Sequence, residues 1–454
     1  MADESLYPIF CSIVVVVLKQ VNTIVSEPYM DEPFHIPQAQ AYCRGEYATW
    51  DPKITTPPGL YLLSLILKRV FLVKCNVSML RLTPTLTLML LPLALTRLLA
   101  FHKRVQPPSS VLSPTFEAMA LSAFPLTWFY GFLYYTEVPS LLSVVMTVMF
   151  ATKGWHWGAA VAGMISCTFR QTNIVWVLYA YATSQLMHLR FRRAAAGQPE
   201  LPKLHDPLAL EASPGDLIQS IKSAPKVIFD LLPAFLPYTL VLAAFGAFVV
   251  WNGGIVLEGD KVNHTPVLHV PQLYYFVAAA TFFGWPVLIS GPGGAQGLVN
   301  GVRSRMRVLA TTVTCGIMCM TVNLFTIHHP FLLSDNRHYT FYVWRRIFML
   351  HPLVPYLLVP IYLACTWAWF LRISHDQTLL QTLLLPAFVI PTLLPTPLLE
   401  PRYFLIPYVL MRAQVDDVPE SGVFLETGWY AVVNAVTMSV FLYLPREGVG
   451  RFMW

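Results

Sequence analysis

Long apolar runs follow one another along almost the whole chain, separated by short polar segments. About thirteen are long enough to cross a membrane as helices, near residues 8–25, 79–101, 117–135, 138–152, 155–169, 173–189, 228–251, 272–290, 308–327, 352–371, 378–398, 402–412 and 424–444. No small-residue cleavage site follows the first run, which predicts an uncleaved span and a cytosolic N-terminus. The pattern predicts an all-α polytopic membrane protein with about 12–14 transmembrane helices, in a single domain over residues 1–454.

One further apolar run, residues 59–73, can lie either across the membrane or on its surface. As a span it would carry Lys68 and Arg69 in its middle, at a cost of about 2–3 kcal/mol for each charge. As an interface helix it leaves the basic loops on the cytosolic side, as the positive-inside rule requires, at residues 102–104, 190–226, 303–307 and 372. The second placement is favoured, and it makes residues 26–78 one long non-cytosolic loop.

Composition supports the membrane assignment and narrows the function. The 454 residues are 56% hydrophobic and only 12% are Asp, Glu, Lys or Arg, against roughly 25% in soluble domains. The net charge is +6, and its Lys and Arg residues lie in the loops between spans. Basic residues in such loops are explained by the orientation of the protein in the bilayer more readily than by nucleic-acid binding. The chain has neither a GK[ST] phosphate loop nor a zinc-ligand spacing. Segment 190–227, rich in Arg, Pro and Ala, is interpreted as a cytosolic linker loop.

The cysteines and the glycosylation tripeptides are less informative. Most of the seven cysteines lie in apolar runs, where they are expected as small core side chains. Only Cys43 and Cys75 share a loop, where two free thiols are favoured and a disulfide stays the open alternative. Acceptor tripeptides for N-glycosylation begin at Asn76 and Asn263, both on the non-cytosolic side of this arrangement.

The densest polar stretch of the chain, residues 27–59, directly follows the first span. Pro33 suits the first turn of a helix that ends before Gly45, so that Asp31 or Glu32 would cap it. A carboxylate at a helix N-terminus stays ionised at neutral pH, as a base that takes a hydroxyl proton must. The stretch therefore predicts a catalytic acid pair.

Two nearby side chains could assist this pair. His35 lies one turn past Asp31, where it could orient the carboxylate or meet a phosphate, and Lys53 could meet an anionic head group at the membrane surface. The simpler alternatives are that both acids only cap the helix and that Lys53 is a snorkelling interfacial lysine. Catalysis is favoured for the acids because one cap needs one carboxylate and neighbouring carboxylates repel each other.

A second polar cluster, residues 328–346, combines arginine, histidine and aromatic side chains. Arginine forks onto phosphate oxygens and stacks on planar faces, so the cluster suits a sugar phosphate. An aromatic belt with interfacial cations would explain Trp344 and the two arginines after it, but not the run from Asp335 to Tyr339. The cluster is predicted to be a donor-binding loop.

A few other charged and polar residues are predicted to lie at the same membrane level as the two clusters: Glu137, Arg170 with Gln171, and Glu400 with Arg402. Each alone would be read as a loop-end charge. Together with the two clusters they indicate transfer from a lipid-phosphate donor at the non-cytosolic interface. A multi-span transporter is the alternative from another class, but it would place its charges near the membrane midplane.

Six stretches of the chain resemble a known family: YMDEPFHIPQAQAYC, WDPKITTPPGLYLLS, FLYYTE, FRQTNIVW, HHPFLLSDNRHYTFYVWRR and LLEPRYFLIPY. They are similar, in order from Tyr29 to Tyr408, to the endoplasmic-reticulum dolichyl-phosphate-glucose α-1,2-glucosyltransferases. The resemblance implies a GT-C glycosyltransferase fold with interface helices in the first luminal loop. It implies dolichyl-phosphate-glucose as donor and the diglucosylated dolichyl-pyrophosphate oligosaccharide as acceptor, in the last step of lipid-linked oligosaccharide assembly for N-glycosylation. Segment 190–227 and the residues after Gln414 match little.

The resemblance also implies an inverting reaction in the endoplasmic-reticulum membrane, with a luminal active site. In GT-C enzymes the acid at the end of the first span is the base, which here is Asp31 or Glu32. Pro33 departs from the family pattern and leaves open which acid is exposed. A dolichyl-phosphate-sugar-dependent mannosyltransferase of the same superfamily is the nearest alternative.

The resulting hypothesis makes Asp31 the base and lets Glu32 orient the acceptor. The predicted donor-binding residues are Lys53, His329, Asn336, Arg337, His338 and Tyr339. The predicted acceptor-binding or supporting residues are His35, Gln38, Asp51, Glu137, Arg170, Gln171, Asp335, Glu400 and Arg402. Dolichyl phosphate is already a competent leaving group, so little general-acid help is needed. No metal-site spacing is evident in the sequence, so no metal or other cofactor is expected, and the protein is expected to act as a monomer.

Overall fold

The computed structural model describes residues 6–193, 201–257 and 266–454, so the glycosylation acceptor predicted at Asn263 lies outside the described residues. These residues form helices and loops, without a β-strand among them. The α-helices are α1 (Leu6–Ile24), α2 (Glu32–Arg44), α3 (Gly59–Phe71), α4 (Val77–Leu80), α5 (Leu82–His102), α6 (Phe116–Ser122), α7 (Pro125–Tyr130), α8 (Glu137–Thr152), α9 (His156–Phe169), α10 (Asn173–Phe191), α11 (Pro214–Ser223), α12 (Ile228–Asn252), α13 (Pro271–Ile289), α14 (Gly294–Arg305), α15 (Val308–Phe325), α16 (Pro330–Ser334), α17 (Tyr339–Val343), α18 (Val354–Leu357), α19 (Val359–Ile373), α20 (Leu379–Leu393), α21 (Leu405–Ala413) and α22 (Glu420–Tyr443).

Six helical segments in the described ranges have at least 18 residues and are apolar enough to cross a membrane: α1, α4 with α5, α12, α13, α15, and α18 with α19. Helices α8 and α20 are apolar but shorter. Nearly every apolar run in the sequence coincides with a helix, and the prediction of an all-α polytopic membrane protein is confirmed.

Two of the predicted spans are not single full-length helices. The run at 117–135 is divided into α6 and α7, because Pro125 begins α7 while the residue before it, Phe124, has extended backbone geometry. The run at 402–412 consists of the end of a 3₁₀ turn, Pro401–Phe404, and the 9-residue helix α21. For these two runs the sequence prediction of one continuous span was wrong.

Helix α3 has the dimensions of an interface helix. Its 13 residues extend over about 20 Å, against about 30 Å for the hydrocarbon core of a bilayer. Leu62, Ile66 and Val70 are exposed along it, and Lys68 turns back so that its Nζ donates to the Cys43 carbonyl oxygen at 2.6 Å. These features support the surface placement that the charges of its last turn predicted.

The polar loops collect at two opposite ends of the helical bundle. At one end Asp376 binds Arg104 at 2.6 Å and lies 3.7 Å from Arg190, and Arg305 donates to the Leu210 carbonyl oxygen at 3.0 Å. This Asp376 end therefore brings together the basic loops that the positive-inside rule predicted to be cytosolic. The opposite end carries Asp31 and is called the Asp31 end below.

Two features shape the Asp31 end: a disulfide and the packing of residues 446–454. A disulfide joins Cys43, near the end of α2, to Cys75, which precedes α4, so the preference for two free thiols was wrong. Residues 446–454 return from α22 and pack on the second polar cluster, where Met453 and Arg337 share a backbone hydrogen bond of 3.0 Å. The sequence assigned no role to this 446–454 segment.

Candidate active site

The two neighbouring acids point into different environments. Helix α2 begins at Glu32, and the residue before the pair, Met30, has a φ of +60° that turns the chain sharply. Asp31 occupies the N-cap position, but its side chain makes no capping hydrogen bond. The Asp31 side chain is 39% exposed, whereas the Glu32 side chain is fully buried.

Glu32 forms a buried ion pair with Arg81, the residue just before α5. The guanidinium donates to both carboxylate oxygens, from Nε at 2.8 Å and from Nη2 at 2.5 Å. The backbone N–H groups of Tyr29 and Tyr134 donate to the same two oxygens at 3.0 and 2.7 Å. With four donors on its carboxylate, Glu32 links α1, α2, α5 and the loop before α8.

Arg81 also holds the C-terminal end of α1. Its Nη1 donates to the Val25 carbonyl oxygen at 2.5 Å and its Nη2 to the Glu27 carbonyl oxygen at 3.2 Å. The last carbonyl groups of a helix have no partner within it, so the arginine satisfies backbone acceptors that would otherwise be buried without a donor. The Glu32–Arg81 pair fixes the loop that presents Asp31.

Asp31 faces an arginine from a distant part of the chain. Its Oδ2 accepts from Nη1 of Arg402 at 2.8 Å, and its backbone N–H donates to the Tyr135 hydroxyl at 3.0 Å. Burial raises the pKa of the Asp31 carboxyl, but the charges of Arg402 and His35 lower it by more, so that this pKa lies below its ordinary value of 3.8. Asp31 is therefore ionised at neutral pH.

The other charged residues that the sequence placed at this membrane level meet around Arg402. Glu400 binds the Nε and Nη2 side of this guanidinium, with the Nη2 to Oε1 distance at 3.0 Å. Glu137 lies 3.9 Å from Arg402 and is also ion-paired with Arg170. Asp31, Glu137 and Glu400 thus form one network with Arg170 and Arg402, and its members come from four separate segments of the chain.

Several supporting residues brace the first loop without reaching Asp31. Gln38 is buried and bonds to the Thr49 carbonyl oxygen at 2.6 Å and to the Asp51 backbone N–H at 2.9 Å. Gln171 donates to the Thr55 carbonyl oxygen at 2.7 Å. Lys53 has its Nζ 4.8 Å from the centre of the Phe34 ring, one turn into α2.

His35 lies on the first turn of α2 between Asp31 and a tyrosine. Its Nδ1 is 2.6 Å from the Tyr61 hydroxyl. Burial lowers the pKa of His35 below 6.5 in spite of the opposing charge of Asp31. The imidazole is therefore mostly neutral at pH 7, and its ring hydrogen bond is made with the Tyr61 hydroxyl.

The second predicted cluster forms its own compact unit. Asp335 accepts from Nε of Arg337 at 2.8 Å and from Nη2 at 2.7 Å, which is a bidentate pair. His338 places Nδ1 2.9 Å from the Trp454 carbonyl oxygen, and the Tyr339 hydroxyl is buried without a hydrogen-bond partner. Asn336 is partly buried between these residues.

A cavity of about 290 Å³ is lined both by members of the Arg402 network and by His329 and Phe331 of the second cluster. Its polar part is lined by Glu137, Arg170, Arg402 and His329, and its remaining wall is mostly apolar, including Trp176, Phe331, Pro391, Pro395, Leu398 and Leu405. Cationic side chains at one end and apolar walls at the other suit an amphiphile with an anionic head group.

Sequence reasoning missed Arg81, Tyr135 and Trp454. Arg81 lies inside a predicted span, and an arginine there was the signal for a buried acidic partner. Tyr135 and Trp454 carry no such signal, because aromatic residues are common at membrane interfaces. No three His, Cys, Asp or Glu side chains within the described ranges are grouped so as to hold a metal ion.

Comparison with known proteins identifies the group to which this architecture belongs. A family model described as the DIE2/ALG10 family matches residues 25–413. The chain belongs to the DIE2/ALG10 family. Both acids of the pair and the whole second cluster lie inside the matched region, whereas the 446–454 segment lies beyond it.

Curated relatives match over nearly their full length. Proteins from Rattus norvegicus and Drosophila melanogaster are each 35% identical to this chain, covering 94% of it and 93% and 92% of their own lengths. A protein from Arabidopsis thaliana is 33% identical over 96% of both chains. All three are named Dol-P-Glc:Glc(2)Man(9)GlcNAc(2)-PP-Dol alpha-1,2-glucosyltransferase. No solved structure matches the chain.

Proposed function

We propose that this protein transfers glucose from dolichyl-phosphate-glucose, in α-1,2 linkage, to the diglucosylated dolichyl-pyrophosphate oligosaccharide. The observation that carries the proposal is the near full-length similarity to relatives with that name. An ionised, partly exposed carboxylate that is paired with Arg402, a residue lining the cavity, gives the reaction its physical basis. This is the last glucose addition in the assembly of the lipid-linked oligosaccharide.

The proposed base is Asp31. Its carboxylate takes the proton of the acceptor hydroxyl as the hydroxyl oxygen attacks the anomeric carbon of the donor. The bond between that carbon and the phosphate oxygen breaks, dolichyl phosphate leaves with the electron pair, and the configuration inverts. Positioned general bases typically contribute 10²- to 10⁴-fold to a rate.

In this proposal Glu32 does not contact the substrate and has a structural role. Its four hydrogen bonds and full burial leave it no free oxygen for a substrate. It fixes the turn that carries Asp31, and the role of orienting the acceptor passes to the Arg402 network.

The donor phosphate is proposed to bind where the cavity meets Arg170, Arg402 and His329. Arginine donors stabilise the charge that develops on the leaving phosphate. Lys53 lies in the loop between α2 and α3, with its Nζ 4.8 Å from the centre of the Phe34 ring, and His338 lies in the second cluster. Arg337 does not line this cavity, and it is assigned to shaping the loop through its ion pair with Asp335.

The Asp31 end is proposed to face the lumen of the endoplasmic reticulum. The basic loops gather at the Asp376 end, which the positive-inside rule assigns to the cytosol. The protein is proposed to act as a monomer, and the proposed mechanism uses no metal.

The test is transfer by the purified protein in detergent. The protein is given dolichyl-phosphate-glucose or dolichyl-phosphate-mannose, with the diglucosylated or the monoglucosylated lipid-linked oligosaccharide. The proposal predicts one added hexose only with the glucose donor and the diglucosylated acceptor. Transfer of mannose, with glucose unused, would instead favour the mannosyltransferase alternative.

A further inference from the structure

Two buried polar atoms have no hydrogen-bond partner among the described residues and belong to neighbouring rings: the hydroxyl of Tyr339 in the second cluster and the indole N–H of Trp454 in the 446–454 segment. The two rings pack edge to face with centroids 5.0 Å apart. A buried polar group without a partner costs about 1–3 kcal/mol, so two at one place indicate a function for the site. Both residues are partly exposed although these two polar atoms are buried.

The 446–454 segment holds Trp454 in this position with backbone hydrogen bonds. The Met453 N–H donates to the Arg337 carbonyl oxygen at 3.0 Å, and the Tyr339 N–H donates to the Met453 carbonyl oxygen at 3.1 Å. The Arg451 N–H donates to the Tyr29 hydroxyl at 2.8 Å, next to the turn that carries Asp31. The segment is therefore anchored to both clusters.

Gly450 permits this approach. Its φ of +113° is a conformation that other residues rarely adopt, and an added Cβ would lie 3.2 Å from the Tyr29 hydroxyl and 3.5 Å from Cδ of Arg337. A side chain at this position would push the segment away from both neighbours.

A chain of direct contacts leads from Trp454 to the proposed base. The Trp454 carbonyl oxygen accepts from the Tyr130 hydroxyl at 3.0 Å and lies 2.9 Å from Nδ1 of His338. The Tyr130 ring packs on the Tyr135 ring at 5.3 Å, and the Tyr135 hydroxyl accepts from the Asp31 N–H. Trp454 thus lies between the second cluster and Asp31.

We propose that Trp454 and Tyr339 form the subsite for the hexose of the donor lipid, which places its anomeric carbon toward Asp31. The inference rests on the proposed function for the identity of the hexose as glucose. The two ring faces pack on the C–H faces of the sugar, while the indole N–H and the phenol hydroxyl hydrogen-bond to its hydroxyl groups after a small ring rotation. The lipid phosphate binds elsewhere, at Arg170 and Arg402.

Equilibrium binding of two lipids separates this subsite from the phosphate site. Radiolabelled dolichyl-phosphate-glucose and dolichyl phosphate are titrated against the full-length protein in detergent, for wild type, Trp454→Phe and Tyr339→Phe. Each variant keeps an aromatic ring and loses one polar atom. Each should bind dolichyl-phosphate-glucose about tenfold more weakly, as expected for one lost hydrogen bond, and bind dolichyl phosphate as wild type does.

Matched controls exclude a general structural effect. Trp157→Phe, on an exposed part of α9 at the Asp376 end, should change neither affinity. Gly450→Ala should weaken binding of the glucosylated lipid in a protein whose thermal unfolding midpoint stays close to that of the wild type.

Equal loss of both lipids in the Trp454 and Tyr339 variants would overturn the hexose assignment, and so would unchanged binding of the glucosylated lipid. Because binding is measured without transfer, these outcomes do not depend on the acceptor reaction. Failure of the wild-type protein to transfer glucose would count against the proposed function alone.

Discussion

At the scale of single residues, the decisive feature is the separation of two adjacent carboxylates. Asp31 and Glu32 are neighbours in sequence, yet one is open to the site and the other is enclosed by Arg81. The sequence predicted an acid pair but left open which member is exposed, because the partner that decides it lies 49 residues away. An arginine inside a predicted span indicates a buried acidic partner, but no local pattern shows which of two neighbouring acids that partner is.

Replacing Arg402 should shift the pH dependence of transfer. Arg402 lowers the pKa of the Asp31 carboxyl, so in Arg402→Gln the carboxyl should keep its proton up to a higher pH. The acid limb of kcat/KM for the acceptor should therefore move to higher pH, as measured from initial rates across a pH series. Arg69→Gln, at an exposed position of α3, is the control that should leave the limb in place. A reduced rate with an unmoved acid limb would contradict the ion-pair argument.

At the scale of elements, the first loop is a small folded unit built on α2 and α3. The charges of Lys68 and Arg69 predict that α3 lies at the membrane surface, and its length of 13 residues supports this prediction. The disulfide at the end of α2 was not predictable, because two cysteines in one loop fit either redox state. In the folded structure Cys43 and Cys75 lie next to each other and form the disulfide.

Removing the disulfide should destabilise the loop more than it slows transfer. The cysteines are 32 residues apart, for which the chain-entropy model gives about 3–4 kcal/mol. Cys43→Ser with Cys75→Ser should lower the thermal unfolding midpoint and speed proteolysis between residues 45 and 76. Cys315→Ser, on α15, is the control expected to match wild type. An unchanged midpoint in the double variant would show that the bond contributes no stability.

The contact between α3 and α9 depends on a glycine. A Cβ on Gly59 would lie 2.6 Å from the Thr168 carbonyl oxygen, which is backbone and cannot rotate away. Gly59→Ala should force the helices apart and lower stability by about 1–3 kcal/mol, measured by thermal unfolding in detergent. Gly246→Ala, on α12 with no atom within 4 Å, should be neutral or slightly stabilising. Equal behaviour of the two variants would refute the close contact.

At the scale of the whole molecule, hydropathy was sufficient to place the helices, because transfer into lipid depends on local composition. It failed at 117–135, where Pro125 divides the run. Successive loops alternate between the two sides of the membrane, and this alternation predicted that Glu137, Arg170 and Arg402 lie at the same membrane level. In the structure the three side chains do meet in one network. The role of residues 446–454 was not predictable, since its bonds to the rest of the chain are mostly made by backbone groups.

The two ends of the bundle should lie on opposite sides of the membrane. In a background without the five free cysteines, Tyr47→Cys reports on the Asp31 end and Lys153→Cys on the Asp376 end, both at exposed positions. With a membrane-impermeant maleimide on sealed endoplasmic-reticulum vesicles, Lys153→Cys should react at once and Tyr47→Cys only after permeabilisation. The reverse order would place the site in the cytosol.

The central claim is that Asp31 acts as the base while Glu32 holds the turn that carries it. Parallel measurement of transfer rate and thermal unfolding in Asp31→Asn and Glu32→Gln tests it most directly. Asp31→Asn should fold normally, since a partly exposed ion pair contributes only about 1 kcal/mol, and should lose about 10²- to 10⁴-fold in kcat. Glu32→Gln should lose about 3–5 kcal/mol of stability, because it leaves Arg81 buried without its counter-ion, while its folded fraction keeps transferring glucose. A folded Asp31→Asn protein with wild-type kcat, or a stable Glu32→Gln protein without transfer, would contradict the account.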